Sequence, residues 1–458
     1  MRNTGRILDI MERALTGPMM EEATFDKVHV TEGIKRVVAD YDIKVDTGKL
    51  INQDDDMADR VWQAAIDFIV TCGVFSKDSG RVILHSRPEI ETLLKAAPSE
   101  VLLGEGHDAV WERARKIEDP SPLVVDGCSI GTPIPEEYFV PAMISYIQEP
   151  IVDVTCGGSL ETVQGFESRT GSPLEILSTW EEMDLAHLAL KRAGRPGMAY
   201  TGCMMAMSDI GQISAAQPGG LRPTDLNTFG IISELKANYE IFNKVTHTIR
   251  TGGIVDAYAN AIYGGLGGGP DGHAVLICAE MIALSVVFQA TCVGASPTHP
   301  FLFCSTERNM MASASVAFQA IARNSHLMTN LSITAVGGPV TKTLLYETLA
   351  YSLMASLSGN SRLLGPRPAT GVISGHYTGL EARFMGEVCH ASTKLNRESA
   401  EVIAQKAFAK CEPDFEKKPY GKPFWEAYDV RTIKPTDEWQ KMVDGVRDEA
   451  KGWGLSFD

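Results

Sequence analysis

The sequence predicts an α/β fold: a closed (β/α)8 barrel with additional helices before and after it. From about residue 150, short apolar runs alternate with longer helical segments seven or eight times, over about 250 residues. That alternation is typical of a parallel sheet with crossover helices. No G-x-G-x-x-G turn opens a βαβ unit and no Walker sequence is present, so a barrel is favoured over an open dinucleotide-binding sheet. A chain of 458 residues is long enough for a barrel with additions.

Seven apolar runs are predicted strands, since turn residues bound them on both sides. They cover residues 151–158, 197–203, 224–231, 253–265, 299–304, 330–338 and 368–375. An earlier stretch, 122–135, is typical of a short hairpin. The predicted helices cover 173–193, 233–250, 273–290, 308–324, 340–357 and 378–395. The first of them begins with Ser172 as N-cap and Pro173 at the first helical position.

These elements divide the chain into three parts. Residues 1–120 are helix-rich and charged, and we expect a helical extension packed on the barrel. Residues 121–400 form the predicted catalytic barrel, and residues 401–458 a charged helical tail.

Composition excludes several classes of protein. An apolar content of 44% indicates a full core, and a net charge of −16 argues against nucleic-acid binding. Nine scattered cysteines without a C-x-x-C pair are typical of reduced thiols in the cytoplasm. The start of the chain has no signal-peptide pattern. The apolar stretch 273–295 contains His273, Glu280 and Gln289, so it predicts a buried helix, not a membrane span.

Polar residues fall on one parity of the predicted strands, and the C-terminal strand ends are where barrels build active sites. The residues of this parity are Thr201, Cys203, Leu226, Thr228, Asp256, Tyr258, Asn260, His299, Asn330, Ser332 and Thr334. Such a set is costly in a dry core unless its groups are satisfied. A hydrated or substrate-binding lumen is one interpretation, and layered hydrogen bonding within the barrel core is the other.

The chemistry of this set is mild. It contains one carboxylate, Asp256, and one imidazole, His299, with no glycosidase-type pair of carboxylates and no G-x-S-x-G turn. A metal site from Cys203, His299 and Cys304 is conceivable, but Cys304 has the opposite parity to His299. We therefore predict no metal, since cysteines serve more often as small apolar residues.

Several stretches resemble one known family. They are "AGRPGM" (193–198), "GNSRLLGPRPATGV" (359–372) and "TGLEARFMGEV" (378–388), with support from 135–146, 213–220, 336–342 and 425–445. In this order they resemble the corrinoid-dependent monomethylamine methyltransferases, and the similarity runs essentially end to end.

The resemblance implies a (β/α)8 barrel with added helices, commonly assembled as a homohexamer. It also implies methyl transfer from a small methylated substrate to the Co(I) of a separate corrinoid protein, with no tightly bound cofactor in this chain. Family members carry pyrrolysine in the strand after "GRPGM". Thr201 stands at that position here, so the chain resembles a pyrrolysine-free relative.

Other positions depart from the family as well. Where the family places carboxylates around the pyrrolysine, this chain has Met204, Thr228 and Tyr258. Ser332 and Thr334 replace a glutamine and a tyrosine, whereas His299 matches a family histidine. The sequence therefore keeps the scaffold of the family but differs from it at the positions of the methylamine pocket.

These departures favour a quaternary ammonium or another activated methyl compound over monomethylamine. Such a substrate needs only to be oriented toward cobalt. We expect Thr201, Tyr258 and His299 to act in catalysis. The substrate would be bound by Met204, Thr228, Asp256, Ser332 and Thr334. A non-catalytic barrel that docks a corrinoid protein and an unrelated barrel lyase or hydrolase are the alternatives.

Overall fold

A computed structural model describes residues 4–457 of the chain. Eight parallel strands form one sheet. In chain order, β1 to β8 are Val124–Cys128, Val154–Cys156, Ala199–Tyr200, Leu226–Gly230, Ile254–Ala259, Cys292–Ala295, Met328–Thr334 and Arg362–Arg367.

The sheet closes on itself. Its strand order is β4-β5-β6-β7-β8-β1-β2-β3, and a parallel bridge between Thr201 and Leu226 joins β3 back to β4. The amide of Gly202 donates to the carbonyl of Leu226 at 2.8 Å across this seam. The predicted barrel is confirmed.

Helices surround the barrel, and each of the six predicted between the strands has a counterpart. The barrel helices α1 to α8 are Glu136–Ile147, Pro173–Arg192, Asp209–Ala215, Tyr239–Thr251, Pro270–Val286, Arg308–Asn324, Lys342–Leu357 and Gly379–Ser392. Ser172 caps α2, accepting from the amide of Leu174, with Pro173 at the first position. The stretch resembling a membrane span holds the buried helix α5.

Three predicted strand positions are wrong. Residues 299–304 form a loop, and the sixth strand is Cys292–Ala295, which the apolar run 273–295 concealed. Residues 368–375 form turns after β8, which lies earlier, at Arg362–Arg367. The predicted hairpin over 122–135 instead contains β1, which pairs in parallel with β8 and β2.

Additional helices lie before and after the barrel. Those before it are Thr4–Thr16, Glu22–Thr24, Gly33–Asp40, Asp55–Cys72 and Arg87–Lys95, with a π-helix at Phe25–Glu32. Those after it are Arg397–Cys411, Phe424–Ala427 and Asp437–Gly452. Arg397 and Asp55 form an ion pair at 2.6 Å that links the two groups. No helix among residues 4–457 combines the length and apolarity needed to cross a bilayer.

An antiparallel hairpin, Glu100–Leu103 with Val110–Arg113, closes the N-terminal end of the barrel. Its Leu103 packs with the first residues of seven strands. These are Val124, Val154, Ala199, Leu226, Ile254, Cys292 and Met328. Because this layer is apolar and buried, water and substrate can reach the lumen only from the opposite, C-terminal end.

Candidate active site

A buried arginine crosses the middle of the barrel. Arg362, on β8, places Nη2 2.6 Å from Oδ1 of Asp256 on β5 and Nη1 2.9 Å from Oδ2 of Asp126 on β1. Its Nε lies 3.1 Å from Oε2 of Glu112, which reaches up from the hairpin. All four side chains are fully buried. We refer to Glu112, Asp126, Asp256 and Arg362 as the ionic layer.

Hydroxyl and amide groups bind to two carboxylates of the ionic layer. Thr201 donates to Oδ2 of Asp126 at 2.6 Å and accepts from Nη1 of Arg362 at 3.3 Å. Thr228 donates to Oδ2 of Asp256 at 2.7 Å, and Asn330 Nδ2 donates to Oδ1 at 2.9 Å. Thr201, Thr228 and Asp256 therefore lie in the lumen as parts of one network. Of the two interpretations of the polar parity, layered hydrogen bonding describes this depth of the barrel.

The ionic layer contains three carboxyl groups and one guanidinium. Burial raises the pKa of Glu112 to about 7, against the opposing effect of Arg362, and burial likewise raises the pKa of Asp126. Burial alone would lower the pKa of Arg362, but Asp256, Glu112 and Asp126 hold it well above its usual value. The layer therefore carries net negative charge once its carboxyl groups ionise.

One step closer to the C-terminal end, the lumen changes character. Cys128, Cys156, Tyr258 and Leu364 form a buried cluster, against which two partly buried side chains, Ile130 and Met204, pack. We call these six residues the mouth cluster. The Tyr258 hydroxyl is buried and has no hydrogen-bond partner among the described residues. Burial, reinforced by Asp256, raises the pKa of this phenol well above its usual value, so Tyr258 is neutral.

The ring of Tyr258 depends on a glycine in the next strand. Tyr258 and Gly294 are register partners on β5 and β6. A Cβ at position 294 would lie 2.3 Å from Cε1 and 2.4 Å from Cζ of that ring. Since real Cβ atoms do not approach so closely, only glycine lets the ring lie against β6.

Met204 lies on a loop that a buried carboxylate holds. Glu182 on α2 accepts from the amides of Met204 and Met205 at 2.9 and 2.7 Å. It also accepts from the Tyr200 hydroxyl at 2.8 Å and the Cys203 thiol at 3.0 Å. Cys203 therefore faces the helix layer, contrary to its predicted parity, because the strand has already ended at Tyr200.

Ser332 and Thr334 lie near the end of β7. The Ser332 hydroxyl contacts that of Ser296, in the segment after β6. The strand register shifts between Ser332 and Thr334, and the Thr334 amide donates to Oγ of Ser305 at 2.9 Å. Both residues are buried, and the irregular register shows that simple alternation fails at Thr334.

His299 does not begin a strand, as the sequence predicted, but lies in the loop between β6 and α6. Its ring stacks on Tyr263 with 6.0 Å between centroids. Its Nδ1 accepts from the amides of Phe301 and Leu302 at 3.3 and 3.1 Å. The neighbouring Phe301 is 78% exposed, so this histidine belongs to the outer rim of the barrel mouth.

Sequence reasoning missed three of the four charged groups of the ionic layer. Asp126 lies in the stretch assigned to a hairpin, and Arg362 precedes the stretch assigned to the last strand. Glu112 comes from the N-terminal part, outside the predicted barrel. Two of these residues could have been noticed, because each is a charged residue inside a short apolar run, "VVDGC" and "SRLLG".

Nearly the whole chain is similar in sequence to one family of known proteins. A family model described as monomethylamine methyltransferase MtmB matches residues 6–455. MtmB3 of Methanosarcina barkeri strain Fusaro is 30% identical over 449 residues, covering 98% of each chain. MtmB2 of Methanosarcina acetivorans is also 30% identical over 449 residues, with 98% of each chain covered. The chain belongs to the monomethylamine methyltransferase family.

Solved structures agree with this assignment. The crystal structure of the Methanosarcina barkeri monomethylamine methyltransferase superposes with a TM-score of 0.95 at 29% identity, covering 98% of each chain. A crystal structure of the hydroxylamine complex of MtmB gives the same TM-score, identity and coverage. The chain therefore keeps the fold of this methyltransferase family over 98% of its length.

Within that fold, the position that the resemblance assigns to pyrrolysine has an internal role. The Thr201 hydroxyl is committed to Asp126 and Arg362, and the residue is 1% exposed. A short hydroxyl cannot extend past the mouth cluster. Any chemistry near the mouth therefore depends on Tyr258, the thiols, Met204 and the residues of the rim.

Proposed function

We propose that this protein transfers a methyl group from a quaternary ammonium, or a similarly activated methyl compound, to the Co(I) of a separate corrinoid protein. It would do so as a cytoplasmic enzyme without a tightly bound cofactor of its own. Family membership supports the methyl transfer. Nine free, buried cysteines support a reducing compartment. The two layers of the barrel lumen support the substrate class, and the homohexamer stays a prediction.

The observation that carries this proposal is the order of the two layers. An aromatic, thiol and aliphatic mouth cluster lies directly above an ionic layer with three carboxyl groups and one guanidinium. The layer's net negative charge attracts a cation in the pocket without hydrogen-bonding to it, because charges act strongly in a buried site. A quaternary ammonium has no N–H group to satisfy, so an apolar pocket suits it.

Each candidate residue has a part in this scheme. The ring of Tyr258 faces the ammonium group as an aromatic wall, and Met204 shapes the same wall. Asp256 acts through the ionic layer, where Thr228 keeps its carboxylate oriented and Thr201 does the same for Asp126. Ser332 and Thr334 bound the pocket along β7, and His299 lies at the rim, where it can contact the remainder of the substrate.

The rim also fits a large apolar partner. Loops after three strands expose Ile262, Phe301, Phe303 and Val372 around the mouth. An exposed apolar patch of this kind marks an interaction surface, and a corrinoid ring held by another protein is large and mostly apolar. When it is bound there, the Co(I) supplies the nucleophile. The residues of this chain bind the substrate, orient its C–N bond and exclude water.

The test mixes the protein with a reduced corrinoid partner and methylated amines, betaines, thioethers or methoxy compounds. We expect loss of the Co(I) absorbance with quaternary ammonium compounds. Tyr258→Ala should lower kcat/KM about thirtyfold, the size of a desolvated cation–π contact. The control Tyr239→Ala, which removes an exposed tyrosine at the start of α4, should behave as the parent protein.

Two results would contradict the proposal in different ways. Turnover with monomethylamine alone would refute the substrate class while leaving the methyl transfer. An absence of cobalt methylation across the panel would refute the transfer itself and favour a non-catalytic docking barrel.

A further inference from the structure

A second arginine on β8 differs from Arg362 in having no acidic partner. Arg367 is largely buried, yet its Nε is buried without a hydrogen-bond partner in the described part of the chain. Its Nη2 donates to the carbonyl of Gly371 at 3.2 Å, and no ion pair within residues 4–457 involves it. A buried guanidinium without a counter-charge is costly, which indicates that an anion completes this site.

Arg367 lies beside the mouth cluster. It is the last residue of β8 and the register partner of Thr334 on β7. Its guanidinium is close enough to the thiols of Cys156 and Cys128, both in the mouth cluster, to interact with them electrostatically. Burial lowers the pKa of Arg367, although an arginine remains charged at neutral pH.

The loop after β8 covers this guanidinium. A Cβ at position 371 would lie 1.9 Å from Nε of Arg367, and Gly371 has φ of +71°. The loop therefore passes directly over the side chain, and the Nε–H, which lies on the same edge of the guanidinium as Nη2, is left without an acceptor among the described residues. Such an edge matches the two oxygens of a carboxylate.

We propose that Arg367 binds the carboxylate of a zwitterionic substrate whose methylated ammonium group occupies the mouth cluster. This inference rests on the proposed function and deepens it. The two ends of the pocket carry opposite charge: the ionic layer attracts the ammonium group, and the unpartnered guanidinium attracts the carboxylate. The substrate class is then a trimethylammonium carboxylate, held at both ends with its methyl groups over Tyr258.

The experiment measures binding by the protein alone, so that it does not depend on methyl transfer. The probes are trimethylammonium carboxylates with one to four methylenes between the charged groups, each paired with its primary amide. We expect one carboxylate to bind the parent protein roughly ten- to hundredfold more tightly than its amide, the range for a hydrogen bond to a charged group. Arg367→Gln should abolish that difference.

Two further variants keep the test specific. Arg367→Lys keeps the charge but loses the fork, so it should retain only part of the preference. Lys418→Gln removes a positive charge from the exposed rim, where the Lys418 Nζ lies 5.8 Å from the Phe303 ring, and should leave the preference unchanged. Thermal unfolding of each variant checks that it is folded.

Failure of this inference is distinguishable from failure of the proposed function. If no carboxylate binds better than its amide, the Arg367 assignment is refuted even when methyl transfer from other compounds is seen. If Arg367→Gln weakens binding of the corrinoid protein but not of the carboxylates, the anion belongs to that partner and the assignment is also refuted. A carboxylate preference that Arg367→Gln abolishes supports the assignment whether or not cobalt is methylated.

Discussion

The ionic layer and the mouth cluster are adjacent in the same lumen, yet their polar groups are partnered in different ways. In the ionic layer, Arg362 faces carboxylates at 2.6, 2.9 and 3.1 Å, and threonine and asparagine groups occupy much of what remains. In the mouth cluster, the Tyr258 hydroxyl is left without a partner. The charges of the first layer are paired within the chain, although Oε1 of Glu112 and Oδ1 of Asp126 have no hydrogen-bond partner among the described residues. The second layer has no charged group, and the Tyr258 hydroxyl can find a partner only in something that enters.

This difference distinguishes buried polar groups that hold the fold together from buried polar groups that bind a ligand. Buried charges are retained when partners offset their desolvation, and a network of that kind fixes the positions of β1, β5 and β8. Unsatisfied polar groups near an open end mark the place where a ligand supplies the missing contacts. Counting polar side chains along strands cannot separate the two, because both alternate with the same period.

Removing Arg362 tests the ionic layer with the largest expected effect. Arg362→Met leaves three buried carboxyl groups without their counter-charge, so we expect a loss of about 3–5 kcal/mol in the free energy of unfolding. Urea denaturation measures it. Arg113→Met, at an exposed arginine paired with Glu100 at 3.1 Å, should cost under about 1 kcal/mol. Similar losses in both variants would show that the layer is not a special structural element.

A substitution beside Tyr258 tests the mouth cluster, with an intermediate effect. Gly294→Ala places a Cβ 2.3 Å from the Tyr258 ring, so the ring must move. We expect a loss of about 1–3 kcal/mol from overpacking and weaker binding of the quaternary ammonium. Denaturation and calorimetric titration measure the two effects.

The chain offers a matched control on the other strand that neighbours Tyr258. Gly230 on β4 is also a register partner of Tyr258, but a Cβ there would meet only the Tyr258 carbonyl oxygen, at 3.9 Å. Gly230→Ala should therefore leave binding nearly unchanged. Adding Tyr258→Ala to Gly294→Ala should relieve the packing cost, and additive losses in that double variant would contradict the clash.

The barrel and most of its helices could be predicted from sequence because α/β alternation is a local pattern. The helix predicted over 308–324 has those bounds in the structure. The sixth strand could not be located, because Cys292–Ala295 continues the apolar run of α5 without a contrasting composition. The last strand was misplaced because a charged residue, Arg362, begins its apolar run, although this arginine is fully buried.

The candidate site was predictable only in part, for a related reason. Alternation along β5 identified Asp256 and Tyr258 as residues on one face. The partners of Asp256 could not be predicted, since Arg362 and Asp126 are more than a hundred residues away from it in the chain. His299 was misplaced because an apolar, aromatic loop resembles a strand in composition.

Glu112 allows a test of the electrostatic coupling between the two layers, with the smallest expected effect. Its pKa of about 7 lies above the ordinary value of 4.5, so between these values the folded protein binds more protons than the unfolded chain. Stability must then fall as pH rises through this window. Glu112→Gln removes that contribution, and we expect the parent protein to lose about 1–2 kcal/mol relative to this variant between pH 5.5 and 7.5. Urea denaturation at several pH values measures the difference, and other titrating groups cancel because both proteins contain them.

The same ionisation makes the ionic layer more negative, so binding of a quaternary ammonium should tighten over this pH range in the parent and not in Glu112→Gln. Glu100→Gln, at an exposed glutamate of the same hairpin, is the control. A pH-independent difference between the parent and Glu112→Gln would show that Glu112 keeps one charge state in the barrel, and the ionic layer could not then tune the pocket above it.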